Sequence, residues 1–238
     1  MLSIILPSYK GSSILSLSLP LLTEYLNKKN IQHEIIVVDD GSNDNGATKK
    51  IAEEYDCIFL ENTKNTGKGA AVQKGMRHAK GNFRIFTDVD IPFELDAFEQ
   101  FLYYLDFKEF DMVIGDRTLQ DSIYFTQISR TRNISSKFFS FLVGRFVTTG
   151  MFDTQCGIKG FRAHVAEDLF SVNRINGFAF DVELLYIALK RNYDIKRLPI
   201  KLRTNEPSTI SLAKEGINMV IDILKIKLNH VQGRYNKQ

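Results

Sequence analysis

The chain has no tryptophan, only two cysteines and only five prolines among its 238 residues. Cys57 and Cys156 lie far apart and match no metal-ligand spacing, so free thiols in a reducing compartment are the expectation. No charge of one sign dominates. The 31 Lys+Arg against 28 Asp+Glu leave a formal net charge of +3, too mild to argue for nucleic acid as a partner. No apolar run approaches the roughly 18–20 residues that span a bilayer. The densest stretch, Phe138 to Val147, is broken by Gly144 and Arg145. The first residues, Met1 to Pro7, carry neither a basic leader nor a cleavage site and read as a strand rather than a signal peptide. These absences point to a soluble or peripheral protein.

What is present is an alternation. The apolar fraction of 44% supports a sizeable core, and the length fits one large α/β domain or two small ones. Strand-like runs at Ser3–Leu6, Ile35–Val38, Cys57–Leu60, Phe83–Phe86 and Met112–Ile114 alternate with helical patterns at Ile14–Leu26, Thr48–Tyr55, Ala70–Ala79 and Leu95–Leu105. Such alternation implies crossover units and a mostly parallel sheet flanked by helices, a Rossmann-like α/β fold. In these sheets ligands bind beyond the carboxyl ends of the strands. Pro7–Tyr9, Asp39–Ser42, Asp88–Asp90 and Gly115–Arg117 therefore share one rim. Further on, Thr131–Val147 reads as a basic, aromatic, amphipathic stretch and Asp153–Arg162 as a glycine-containing loop. Phe180–Lys190 reads as a helix and Ile195–Leu202 as a strand. Apolar residues at Ile217, Val220, Ile221, Leu224, Leu228 and Val231 form a helical stripe in the tail. With no repeat or clear linker, we expect one domain over 1–205 and a helical appendage over 206–238.

Four rim clusters carry chemistry. Asp88-Val89-Asp90 ends an apolar run, and two close carboxylates are costly unless a cation lies between them. Their hard oxygens suit Mg²⁺ or Mn²⁺. A solvated acidic turn is the plain alternative. Leu6-Pro7-Ser8-Tyr9 places an aromatic ring where it could stack on a base. Val38-Asp39-Asp40-Gly41-Ser42 offers carboxylates to a base or ribose, or a helix cap. Asn65-Thr66-Gly67-Lys68-Gly69-Ala70 has glycines that would let backbone approach a phosphate at a helix N-terminus, with Lys68 meeting a diphosphate or solvent. It matches neither G-x-x-x-x-G-K-[ST] nor G-x-G-x-x-G, so P-loop and dinucleotide readings lose ground.

These clusters, with Ile114-Gly115-Asp116-Arg117, occur in the order and spacing of family 2 glycosyltransferases of the GT-A fold, which the chain resembles over roughly residues 1–205. The runs Asp153-Thr154-Gln155-Cys156-Gly157-Ile158-Lys159-Gly160-Phe161 and Phe180-Asp181-Val182-Glu183-Leu184-Leu185 are similar to the dolichyl- and polyprenyl-phosphate glucosyl- and mannosyltransferases, the glucosyl branch above all. The resemblance implies that Pro7, Tyr9, Val38 and Asp40 hold the nucleotide. It implies that Asp88 and Asp90, with Val89 between them, bind the divalent metal and through it the diphosphate. Arg117 would meet phosphate, Arg130 and Arg132 the acceptor phosphate, and Arg203 would close over the diphosphate. There are departures: Lys10 follows the tyrosine, Pro92 and Phe93 follow the acid pair where a metal-binding glutamine sometimes stands, and Thr209 replaces a late lysine of the mannosyltransferases.

The implied reaction is a single displacement with inversion, moving a hexose, glucose first, from a nucleotide sugar, UDP-glucose first, to a polyprenyl phosphate. A phosphate acceptor is already anionic and needs positioning by Arg117, Arg130, Arg132 and Lys137 rather than a base. A sugar hydroxyl acceptor would demand a base, for which Asp153, Asp181 and Glu183 are the candidates. A non-catalytic nucleotide-sugar or lipid-binding module is the alternative of another class. Arg130, Arg132 and Lys137 flank Phe138, Phe139, Phe141 and Leu142, and the tail carries Lys225, Lys227, Arg234 and Lys237, so either segment could lie on a membrane surface. Many members of this branch carry transmembrane helices. Without one here, peripheral attachment at the cytoplasmic face, or a separate membrane subunit, is the expectation.

Overall fold

Ile4 and Leu6 lie on one side of the first strand and Ile5 on the other, and all three are fully buried. The same alternation recurs at Ile35 and Val37 against Ile36 and Val38, and at Val113 against Met112 and Ile114. Strands apolar on both faces must be covered on both faces, which is what a layered α/β fold supplies. The computed structural model describes residues 1–123, 150, 153–203 and 212–236, excepting the side chains of 212–218. The amphipathic stretch expected over Thr131–Val147, with Arg130, Arg132 and Lys137, lies outside these residues, as does Thr209.

Among the described residues, seven strands form one sheet: β1 (Leu2–Ser8), β2 (His33–Asp39), β3 (Ile58–Glu61), β4 (Phe83–Thr87), β5 (Met112–Asp116), β6 (Ile158–Arg162) and β7 (Ile195–Pro199). Their spatial order is β3-β2-β1-β4-β6-β5-β7. β6 runs antiparallel to β4 and β5, and every other pairing is parallel. The ends of β1, β2, β4 and β5 therefore do share one rim. The helices are α1 (Ser12–Lys28), α2 (Ala47–Glu54), α3 (Lys68–His78), α4 (Ala97–Leu102), α5 (Ala163–Val172), α6 (Phe180–Lys190) and α7 (Leu212–Val231). A π-helical turn, Tyr103–Phe107, extends α4. Leu15, Leu19, Leu22 and Leu26 bury one stripe of α1 on the sheet face that α4 also covers. The opposite face carries α3, α5 and α6.

Two expectations change. Asp153–Arg162 is not a loop throughout, since its second half is β6. Gly160 there serves packing rather than a turn, because a Cβ at this position would come within 2.9 Å of Phe101 and 3.1 Å of Leu105. The helix α5 that follows was not anticipated. β7 is also shorter than expected, and its continuation makes single bridges, Lys201 with Ile123 and Leu202 with Phe93. These bridges carry Arg203 to the acid pair, where its backbone N–H donates to the Pro92 carbonyl at 2.8 Å.

α6 is buried almost all round, from Phe180 to Ala188, including Asp181 and Glu183. A carboxylate survives in such a helix only with partners. α7 contributes Ile226 and is followed by Tyr235, both buried in the cluster that contains Phe180.

Candidate active site

The Asp88-Val89-Asp90 turn is pinned from both sides. Ser18 of α1 donates its hydroxyl to the Val89 carbonyl at 2.5 Å, and the Asp88 N–H donates to the Gly157 carbonyl at 3.1 Å. A Cβ at Gly157 would overlap the Asp88 carboxylate where it stands, so a side chain there would push that carboxylate aside. Ile91, next in the chain, has φ +40°, a value β-branched residues rarely adopt, and its side chain is held in the core. Asp88 is partly exposed and Asp90 exposed. Just behind them, the buried hydroxyls of Ser8 and Thr87 have no hydrogen-bond partner among the described residues.

Four charges alternate beneath this turn. Lys68, the first residue of α3, forms an ion pair with Asp88. Lys159 of β6 pairs with Asp181 of α6 at 2.6 Å, donates to the Cys156 carbonyl at 2.9 Å and sits 5.5 Å from the Phe86 ring centroid. Burial works against the Lys68 ammonium, yet Asp88, with Asp181 and Asp90 behind it, holds its pKa above lysine's ordinary value. Burial raises the Asp181 pKa, opposed by Lys159 and Lys68. Sequence reasoning did not single out Lys159. Its signal was a lysine inside the apolar run Ile158-Lys159-Gly160-Phe161, where an ammonium needs a buried counter-ion.

The glycine loop does something other than expected. Several of its backbone donors are already used: the Gly69 N–H, and more distantly that of Ala70, donate to the Asn176 carbonyl at 2.8 and 3.4 Å. The Gly67 N–H donates to Asp40 at 2.8 Å. The N-terminus of α3 is thus capped by the chain itself rather than open to a phosphate. Gly67 is there because it adopts φ +105° and a Cβ on it would collide with the Asn176 carbonyl oxygen.

Asp40 likewise faces inward. It accepts from Asn62 Nδ2 at 2.8 Å, from the Thr66 N–H and hydroxyl at 3.0 and 2.7 Å, and from Gly67, so it ties down the 62–67 loop. Val38 is fully buried, with its side chain against Gly75 of α3, so it can meet a nucleotide only through backbone. Tyr9 is 47% exposed at the rim, with Pro7 partly exposed below it.

The three carboxylates considered as bases all have partners. Asp153 takes a bidentate fork from Arg117, at 2.9 Å from Nε and 2.7 Å from Nη2, plus the Arg117 N–H at 2.7 Å. Burial opposes its charge, but the Arg117 guanidinium outweighs it and holds the carboxyl below the usual range. Asp181 is paired with Lys159. Glu183 is fully enclosed, accepting the Arg174 and Ile175 N–H groups at 2.9 and 2.7 Å and the Tyr235 hydroxyl at 2.6 Å. It secures the loop before α6 instead of facing the rim.

The donor set fits a hard divalent cation. Two carboxylates stand two residues apart on a pinned turn, and among the described residues no cluster of three or more ligating side chains competes with them. The Lys68 ammonium already neutralises Asp88 and so competes with such an ion. Lys68→Met is therefore expected to tighten Mn²⁺ binding to the nucleotide-free protein by about tenfold, the low end of what one close charge is worth near a protein surface. Calorimetric titration reads this directly, and unchanged or weaker binding would show that the ammonium does not compete.

The glycosyl transferase family 2 model matches residues 3–170. The dolichyl-phosphate beta-glucosyltransferase of Dictyostelium discoideum is 31% identical over 248 residues, covering 98% of this chain and 75% of the relative. The human dolichyl-phosphate beta-glucosyltransferase is 31% identical over 252 residues, covering 98% and 77%. Among solved structures, glucosyl-3-phosphoglycerate synthase of Mycobacterium tuberculosis, in complex with Mn²⁺, UDP-glucose and phosphoglyceric acid, matches with a TM-score of 0.70 at 17% identity, over 100% of this chain and 80% of that one. Mannosyl-3-phosphoglycerate synthase of Rubrobacter xylanophilus matches with a TM-score of 0.72 at 17% identity, over 100% and 76%. At such identities these structures speak for the shared GT-A fold alone. The family match spans most of the chain, and relatives above 30% identity align with nearly all of it. The chain belongs to glycosyl transferase family 2, among relatives that are dolichyl-phosphate beta-glucosyltransferases.

Proposed function

We propose that this protein transfers glucose from UDP-glucose to a polyprenyl phosphate, with inversion, to give a polyprenyl-phosphate β-glucose. The observation that carries the choice of acceptor is the state of the three carboxylates. Asp153, Asp181 and Glu183 are each bound to a cation or to several donors, so none is poised to take a proton from a sugar hydroxyl. A phosphate monoester brings an oxygen that is already anionic. The similarity to dolichyl-phosphate beta-glucosyltransferases supports the same acceptor and the same sugar.

In this reading Tyr9 stacks on the base at the rim and Pro7 lines it. Asp40 contributes by holding the 62–67 loop against the nucleotide's position. Lys68 and Arg203 face the diphosphate from opposite sides of the acid turn. The Arg117 guanidinium, aligned by Asp153, receives the acceptor phosphate together with Arg130 and Arg132. A divalent ion, Mg²⁺ or Mn²⁺, would be held by Asp88 and Asp90 and would neutralise charge on the departing diphosphate.

Incubation with radiolabelled UDP-glucose and polyprenyl phosphate should move label into the organic phase. Label that stays aqueous and joins a glycan would favour the hydroxyl acceptor. Transfer from GDP-sugars but not UDP-glucose would overturn the donor.

A further inference from the structure

From Val220 to Val231 the exposed side of α7 is apolar where a helix packed on a protein should be polar. Val220, Ile221, Leu224, Leu228 and Val231 are all exposed, Leu224 at 65% and Val231 at 83%. At 100° per residue they fall on one continuous stripe. Lys227 borders that stripe on one side and Lys225 on the other. Asp222 lies off the stripe, mostly covered and paired with Lys225 at 2.8 Å. The opposite side of the helix is anchored, with Ile226 fully buried and Asn229 buried, while the bordering Lys227 lies 4.7 Å from the Tyr186 ring centroid. The helix therefore cannot roll to hide its stripe without leaving the core.

We propose that this stripe is a docking surface for an anionic lipid bilayer, with α7 lying in the plane of the interface. The charge pattern selects the occupant. An apolar face bordered by lysines on both sides matches acyl chains flanked by anionic headgroups. A second copy of the chain would bring lysine borders against lysine borders, whichever way the helices ran. The placement gives the surface a use. Met219, one residue before Val220 but on the anchored side of the helix, packs against the core and meets Gln155, whose side-chain nitrogen lies 3.8 Å from its sulfur. Two residues beyond Gln155 is Gly157, which packs on Asp88. The docking helix is thus tied, through Gln155 and Gly157, to the acid turn. The inference builds on a lipid-borne acceptor but is tested without one.

The test is co-sedimentation of the full chain with vesicles of phosphatidylcholine alone and with added phosphatidylglycerol, with no nucleotide or acceptor present. Binding is expected only to the anionic vesicles, with weakening in high salt. Leu224→Ser/Leu228→Ser and, separately, Lys225→Gln/Lys227→Gln should each reduce the bound fraction by about tenfold or more. The leucine positions are exposed, so their variant should keep the parent thermal midpoint and its transfer to a short, water-soluble isoprenyl phosphate. That last activity separates failure of docking from failure of the proposed reaction. No binding to anionic vesicles, equal binding by both variants, or a stripe-dependent dimer in light scattering would each overturn the proposal.

Discussion

Asp88→Asn should lower glucosyl transfer by about 10²–10³-fold while leaving the fold in place. The substitution keeps the shape that fits against Gly157, so the turn retains its geometry. What disappears is one of the two carboxylate charges of the acid pair. Asp88 is partly exposed, so the stability change should stay within about 1 kcal/mol. Lys68 loses its closest partner but keeps the field of Asp181 and Asp90. Two measurements check this: initial rates of transfer to the lipid acceptor, and the thermal midpoint. The reading would fail if transfer persisted at the parent rate in a variant whose midpoint had not moved.

The second large effect is on stability. Lys159→Met should cost about 3–5 kcal/mol, because it leaves the buried Asp181 carboxylate without its nearest cation. Lys68 still acts on Asp181, which argues for the lower end of that range. Removing both charges, in Lys159→Met/Asp181→Leu, should recover part of the loss, since two apolar groups need no mutual compensation. The deficit of the single variant should also depend on pH. Burial already raises the Asp181 pKa, and loss of Lys159 raises it further. A carboxyl whose folded pKa exceeds its unfolded value gives full stability below the unfolded value, near ~3.9, and loses it as pH rises through the folded one. The variant should therefore approach the parent as pH falls toward about 4 and diverge from it toward neutrality. Urea titrations at several pH values measure this. A cost below about 1 kcal/mol at neutral pH would mean that the pair does little for the fold.

Both effects concern residues that a sequence exposes to different degrees. Asp88 and Asp90 were legible because an acidic pair at the end of an apolar run contrasts with its surroundings, and because strand–helix alternation says which end of the sheet carries ligands. Lys159 was hidden because its partner is distant in the chain, on another element. Asp40 and the Gly67–Gly69 loop were legible as important but not as what they are. Side chains suited to a ribose or a phosphate are equally suited to another loop, and only the fold shows that Asp40 and Asn176 reach those donors first. The strand β6 was concealed by Gly157 before it and Gly160 within it, which read as a loop until α4 is seen packing against Gly160.

Local chemistry and periodicity determined the α/β class, the common rim and the acid pair. Each depends on residues close together in the chain: two-residue alternation, helical stripes, and the turn after a strand. The tertiary structure decided which charges are paired, which backbone donors are already spent and which apolar stripe is left uncovered. Those outcomes depend on contacts between residues far apart in sequence, where burial makes an unpaired charge costly and so selects its partner. For α7 the stripe is visible in the sequence, but only its packing through Ile226 and Tyr235 shows that the exposed side cannot turn inward.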